Sequence, residues 1–228
     1  MSFPALAGRL SEIRERIRFH QAKAGWTHPV QIVAVTKSHG PEAVRAAVAA
    51  GLEDVGENRV QEALAKQEQL ADLTVRWHLI GSLQRNKARL AVGRFTLIHS
   101  VDRSELAEEL DRRVEAGRRQ AVLIEVNCSG ELQKGGVEPE QLPALLEAVV
   151  AAPRLELRGL MTLAALSEDE RVQRRAFAML RALRERMQAA GHALPELSMG
   201  MSGDFPVAIE EGATLVRLGT LLFGERPS

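Results

Sequence analysis

Along the chain, short continuous apolar runs alternate with stretches in which apolar residues recur every three or four positions. The first kind suits strands covered on both faces, and the second suits amphipathic helices. Leu6, Leu10, Ile13 and Ile17 fall at helical spacing between Arg and Glu and predict an opening helix. Residues 32–35 (IVAV) predict a buried strand running out at Thr36 and Lys37. A helix over 41–50 follows, with Pro41 at its first position and Gly51 closing it. The alternation continues with a strand at 53–56, a helix at 59–70, a strand at 76–81, a basic helix at 84–91 and a strand at 96–101. Asp102 reads as the N-cap of a helix carrying Leu106, Leu110 and Val114. Then come a strand at 121–126, a polar loop at 127–136, and a helix opened by Pro139 with Leu142, Leu145, Leu146 and Val149 inward. A strand at 155–161 precedes a long helix at 168–190, whose Val172, Ala176, Leu180, Leu183 and Met187 point inward and whose arginines form a solvated face. The chain finishes with a strand at 196–199, a short helix to about residue 211 and a strand at 214–218.

Strand then helix, eight times over, implies a parallel sheet, and eight repeats imply closure into a barrel. The expected fold is therefore α/β, a single (β/α)8 TIM barrel with an extra N-terminal helix, forming one domain over residues 1–228. An open doubly wound sheet is the alternative.

Lys+Arg and Asp+Glu are both 30, so the chain carries no net charge and nothing calls for nucleic acid or an anionic membrane. One cysteine, Cys128, excludes an internal disulfide and fits a cytoplasmic setting. The first twenty residues lack the apolar core of a signal peptide, and no run reaches the ~18 residues of a membrane span.

In a barrel of this kind ligands bind where strands end at the C-terminal face. The residues there are Lys37, Asn58, His78 with Gly81, Ser100, Asn127, Met161, Ser202, Gly219 and Thr220. They include no carboxylate pair and no cluster that would ligate a metal. Lys37 is either a solvated strand-end lysine or an amine that loses its proton readily against apolar sequence, as Schiff-base chemistry requires. Gly200-Met201-Ser202-Gly203 and Gly219-Thr220 are either tight turns or a phosphate cradle of backbone N–H groups and hydroxyls. Arg217, inside an apolar strand, needs a partner, either a ligand atom or a structural carboxylate. His78 reads as a hydrogen-bonded packing residue, and Cys128 carries no nucleophile signature.

Seven stretches taken together resemble the YggS/PROSC family of pyridoxal-phosphate homeostasis proteins. They are AVTK at Lys37, GENRVQEA from Gly56, WHLIGSLQRNKAR from Trp77, HSVDR from His99, RGLM ending at Met161, GMSGD from Gly200 and VRLGTLLFG from Val216. The resemblance spans nearly the whole chain and implies an alanine racemase N-terminal-domain-like barrel carrying pyridoxal 5'-phosphate. By the resemblance, Lys37 holds the cofactor as an internal aldimine, and Ser202, Gly219 and Thr220 cradle its phosphate. Arg217 then faces the pyridine nitrogen, Asn58 lies beside the ring, and Met161 joins them as a cofactor-binding residue. One departure is that Pro41 stands four residues after Lys37, where many members have proline two after it.

The resemblance implies a cofactor carrier that stores, buffers or delivers pyridoxal phosphate without turnover, with apo enzymes of that cofactor as recipients. The alternative is an amino-acid racemase or decarboxylase of the same barrel type. The related racemases use a tyrosine from a second domain as opposite acid/base. This chain has no tyrosine and no sequence for such a domain after the eighth strand. Two-base transfer needs a group on each face of the substrate carbon, and only Lys37 stands out. The missing second domain also points to a monomer; no catalytic residue is firmly assigned, and the absence of a His/Asp/Glu cluster predicts no metal.

Overall fold

The computed structural model describes residues 3–131 and 133–225. Residue 132, within the predicted polar loop, and the outer ends of the 1–228 domain lie outside them. Eight parallel strands close into a barrel in sequence order. They are β1 (Gln31–Val35), β2 (Asp54–Glu57), β3 (Arg76–Leu79), β4 (Leu97–Val101), β5 (Gln120–Glu125), β6 (Leu155–Met161), β7 (Glu196–Met201) and β8 (Leu215–Leu218). The helices are α1 (Leu6–Ala24), α2 (Pro41–Ala49), α3 (Val60–Gln69), α4 (Ala88–Ala91), α5 (Ser104–Arg113), α6 (Leu142–Ala151), α7 (Glu170–Ala189), α8 (Phe205–Glu210) and α9 (Thr220–Phe223). The open doubly wound sheet is excluded, because β1 pairs with β8 as well as with β2.

Strand side chains alternate between barrel interior and helix layer. Ile32, Ala34, Val55, Leu79, Ile98, Val122, Ile124, Leu160, Val216 and Leu218 face outward and share one core with the helices. Leu97, Leu123 and Met161 form a separate small cluster in the interior. The remaining interior positions include Asp54, His78, His99, Ser198 and Arg217, all buried. α1 packs against α8 and α9 through Leu6, Leu10, Ile13 and Ile17. Each of these contributes roughly 1.5–3 kcal/mol of burial.

Several expectations shift for local reasons. Asp102 is not the cap of α5, because Arg103 takes that position and the Asp102 carboxylate pairs with the Arg103 guanidinium instead. Pro139 lies in a turn, and α6 starts at Leu142 with Pro143 in its first turn. The predicted basic helix is a 3₁₀ turn (Arg85–Lys87) running into the single turn of α4. On α7, Val172 is half-buried while Gln173 and Phe177 are buried. Nor are all its arginines solvated, since Arg174 and Arg181 pair with Glu210 and Glu211.

Candidate functional site

The motif residues converge on one arc of the C-terminal rim, because β7, β8, β1 and β2 are consecutive in the closed sheet. Met201 of β7 registers with Arg217 of β8, and Arg217 with Val33 of β1. The turns after these strands are therefore neighbours. Lys37 is half-buried two residues past β1. It is followed by Ser38, which among the described residues is the non-glycine residue at positive φ (65°). A non-glycine residue held there costs energy, and such strain concentrates at binding loops.

Ser202 Oγ accepts from Gly219 N–H at 3.3 Å and from Leu221 N–H at 3.4 Å, joining the turns after β7 and β8. Gly200 adopts φ 93°, and a Cβ there would lie 2.6 Å from Ala208 Cβ, so the turn is glycine-only and α8 packs close beneath it. Asp204 accepts from Met201 N–H at 2.5 Å and pins the loop from below. Burial raises its carboxyl above the usual range. Beside Gly203 there is open space. Thr220 is exposed at the start of α9, and Asn58 is half-buried past the end of β2. Asn58 is held against Gly81, where a Cβ would come within 2.5 Å of the Asn58 carbonyl oxygen.

Arg217 lies beneath this arc, only 3% exposed. Its Nη1 donates to Ser198 Oγ at 2.6 Å and its Nη2 to the Thr162 carbonyl at 2.8 Å. Neither hydrogen bond goes to a carboxylate. Burial pulls the guanidinium down to about 10, and the Asp204 and Glu125 carboxylates act against that fall, so it remains charged at neutral pH. Met161 is fully buried in the interior cluster.

Other rim candidates have structural work. Ser100 Oγ donates to the Gly81 carbonyl at 2.7 Å, and Asn127 Nδ2 donates to the Glu131 carbonyl and to Glu138. His78 lies inside the barrel, hydrogen-bonded to Asp54 and His99, as a packing histidine would be. Burial pushes the Cys128 thiol up to about 12, so it offers no thiolate nucleophile.

Two buried groups near this rim were among those not singled out in the sequence. Lys66 of α3 donates to Glu57 Oε1 at 2.5 Å and to the Thr36 carbonyl at 2.8 Å, while Thr36 Oγ1 donates to the same Glu57 oxygen. This ion pair fixes the backbone immediately before Lys37. Glu125 is the last residue of β5, across the eight-strand ring from β1. Its carboxyl is raised to about 7 by burial, with Asp102 adding to the rise and Arg217 opposing it.

The family model for the alanine racemase N-terminal domain matches residues 9–227. The pyridoxal phosphate homeostasis protein of Aquifex aeolicus is 48% identical over 221 residues, covering 96% of this chain and 97% of that protein. The chain belongs to the pyridoxal phosphate homeostasis protein family. Its Pseudomonas aeruginosa relative of the same name is 46% identical over 224 residues, with 97% and 96% covered. PipY of Synechococcus elongatus, solved with pyridoxal phosphate bound, superposes with a TM-score of 0.84 at 42% identity, covering 96% of this chain and all of that one. A Clostridium difficile alanine racemase (TM-score 0.73, 16% identity, 94% of this chain and 57% of that one) shares the fold.

Apart from the Asp204 carboxylate turned into its own loop, the arc carries an amine, hydroxyls and a buried guanidinium, over backbone N–H groups that meet Ser202 Oγ. Such a set complements a phosphate dianion at one end and an unprotonated ring nitrogen at the other.

Proposed function

We propose that this protein binds pyridoxal 5'-phosphate at the C-terminal rim of the barrel and serves its storage, buffering or delivery. The observation that carries this reading is the meeting of the Lys37, Ser202 and Gly219 turns directly above a buried, charged Arg217. The cofactor supplies an aldehyde that an amine captures reversibly, and a ring that can accept electrons. Lys37 Nζ is the amine assigned to that capture. Ser202 and Thr220 hydroxyls with the Gly219 turn hold the phosphate, Arg217 donates toward the ring nitrogen, Asn58 flanks the ring and Met161 lies in the floor. A guanidinium beside the ring nitrogen disfavours protonating it, which weakens the electron sink and favours holding over turnover. Residues 1–228 then act as one cofactor-binding domain, as a monomer handing its cargo to apo enzymes. The single cysteine, buried as a free thiol, agrees with a cytoplasmic setting. No helix among the described residues is long and apolar enough to cross a membrane.

A second reading, proton transfer on an amino acid, gains support from Glu125, a near-neutral carboxyl across the ring from Lys37. Titrating the purified protein with pyridoxal phosphate, and then assaying a panel of amino acids for racemisation and decarboxylation, separates the two. The carrier reading expects a visible absorbance band that Lys37→Ala abolishes, with no sustained turnover. Steady turnover lost in both Lys37→Ala and Glu125→Gln would establish the enzyme instead. A wild type that develops no band would overturn cofactor binding. Transfer to an apo enzyme faster than release into buffer would mark delivery rather than storage.

A further inference from the structure

A chain of buried hydrogen bonds leaves Arg217 and runs down the barrel interior toward the opposite face. Ser198 Oγ, which accepts from Arg217, lies 2.9 Å from His99 Nδ1. His99 Nε2 lies 2.9 Å from His78 Nδ1, and His78 Nε2 lies 3.0 Å from Asp54 Oδ1. Asp54 is gripped in turn by Arg76, at 2.8 and 2.6 Å. Ser198, His99, His78 and Asp54 come from β7, β4, β3 and β2 and are between 0 and 4% exposed. At its lower end the chain meets a cavity of about 870 Å³ on the N-terminal face, lined by Asp54, His78 and Arg76 among others.

The proton positions follow from counting donors. A guanidinium only donates, so Ser198 Oγ receives one proton from Arg217. The serine's own proton then goes to His99 Nδ1, its other partner in this buried site. That leaves His99 with its proton on Nε2, pointing at His78 Nδ1. His78 likewise carries its proton on Nε2, pointing at the Asp54 carboxylate, which only accepts. Every hydrogen bond then runs the same way, from the guanidinium to the carboxylate. The electrostatics agree with this direction. Burial, with the Arg217 charge adding to it, lowers the His99 imidazole well below its usual range, so it is neutral. Burial pushes the Asp54 carboxyl up, but hydrogen bonds from Arg76 and His78 outweigh it and hold Asp54 ionised. With both imidazoles neutral, reversing a single link would set two donors or two acceptors face to face in a dry interior.

We propose that Ser198, His99, His78 and Asp54 are positioning residues that lock the Arg217 guanidinium in one orientation, with both imidazoles neutral and protonated on Nε2. The chain constrains Nη1 through Ser198, while the Thr162 carbonyl constrains Nη2, so the plane of the guanidinium is fixed before any ligand arrives. That this plane meets the ring nitrogen of pyridoxal phosphate rests on the functional reading above. The orientation of Arg217 does not.

The first test uses the ligand-free protein. Two-bond ¹H–¹⁵N spectra of the uniformly labelled chain, with its six histidines assigned, should show His78 and His99 as Nε2–H tautomers, and Arg217 should give separate, slowly exchanging Nη–H signals. An Nδ1–H tautomer or an imidazolium at either histidine would overturn the assignment. His99→Phe should collapse the Arg217 Nη–H signals into one averaged resonance. His99→Gln, which can accept from Ser198 and donate to His78, should restore them. Unchanged Arg217 signals in His99→Phe would refute the positioning role, and if that variant fails to fold, the wild-type tautomers still decide. The second test adds pyridoxal phosphate. His99→Phe should weaken its binding roughly tenfold, the size expected for a broken buried hydrogen-bond chain, and shift the visible band, while His99→Gln should do neither. If the wild type fails to bind the cofactor while the tautomers are as assigned, the functional reading falls and the locked arginine stands.

Discussion

Lys66 shows how much one side chain can decide at this site. It reaches from α3 to neutralise Glu57, which is 0% exposed, and it holds the Thr36 carbonyl one residue before Lys37. Removing one partner of a buried ion pair leaves an uncompensated charge, which costs about 3–5 kcal/mol. Lys66→Met should lower the urea unfolding free energy by that amount and weaken pyridoxal phosphate binding as well, since the Thr36–Lys37 backbone loses its anchor. A loss below about 1 kcal/mol would show that Glu57 finds another partner. Glu125 predicts the opposite sign. Between the usual carboxyl range near 4.5 and its folded value of about 7, the folded state keeps a proton that the unfolded chain has lost. Stability therefore falls as pH rises through that window. Glu125→Gln should be more stable than the wild type at pH 8, by up to roughly 3 kcal/mol, and the difference should close by pH 4. Lys37, Ser202, Gly219, Thr220 and Arg217 could be nominated from the sequence because each sits in a short local motif, and the structure brings them to one arc of the rim. Lys66 could not be, because VQEALAKQEQ reads as an ordinary solvated helix. His99, Ser198 and Asp54 could not be, because they meet only after four strands close.

At the level of elements, α8 is the hub that ties the outer helices together. Glu210 receives His20 and Lys23 from α1 and Arg174 from α7, while Glu211 receives Arg174 and Arg181. Burial works to raise the Glu210 carboxyl, yet hydrogen bonds from Lys23, Arg174 and His20 prevail and hold it at about 2. Its contribution is present above the usual carboxyl range and is lost as pH falls through about 2. Glu210→Gln should cost about 1–2 kcal/mol at pH 7, with the gap to wild type closing on acidification, and should speed amide exchange in α1. Equal exchange in the two proteins would mean that the apolar face of α1 holds the helix unaided. A helix rich in arginine looks solvated until its acidic partners are known to lie across from it, and those partners sit thirty or more residues away. The caps failed similarly, since Asp102 met a stronger partner in Arg103 than the helix end offered.

Over the whole molecule, the periodicity of eight strands and their intervening helices pointed to a closed barrel but left an open doubly wound sheet as the alternative, and the pairing of the first strand with the last decides between them. Closure is also what brings the AVTK, GMSGD and RLGT turns together on one rim from opposite ends of the chain. The central claim is that the Lys37 amine is the point of attachment for pyridoxal phosphate. The direct measurement is borohydride reduction of the loaded protein followed by peptide mapping. A single pyridoxyl label on the peptide containing Lys37, absent from Lys37→Ala, is the predicted result. A label on Lys66, Lys87 or Lys134 instead, or none on a protein that nonetheless binds the cofactor, would contradict it.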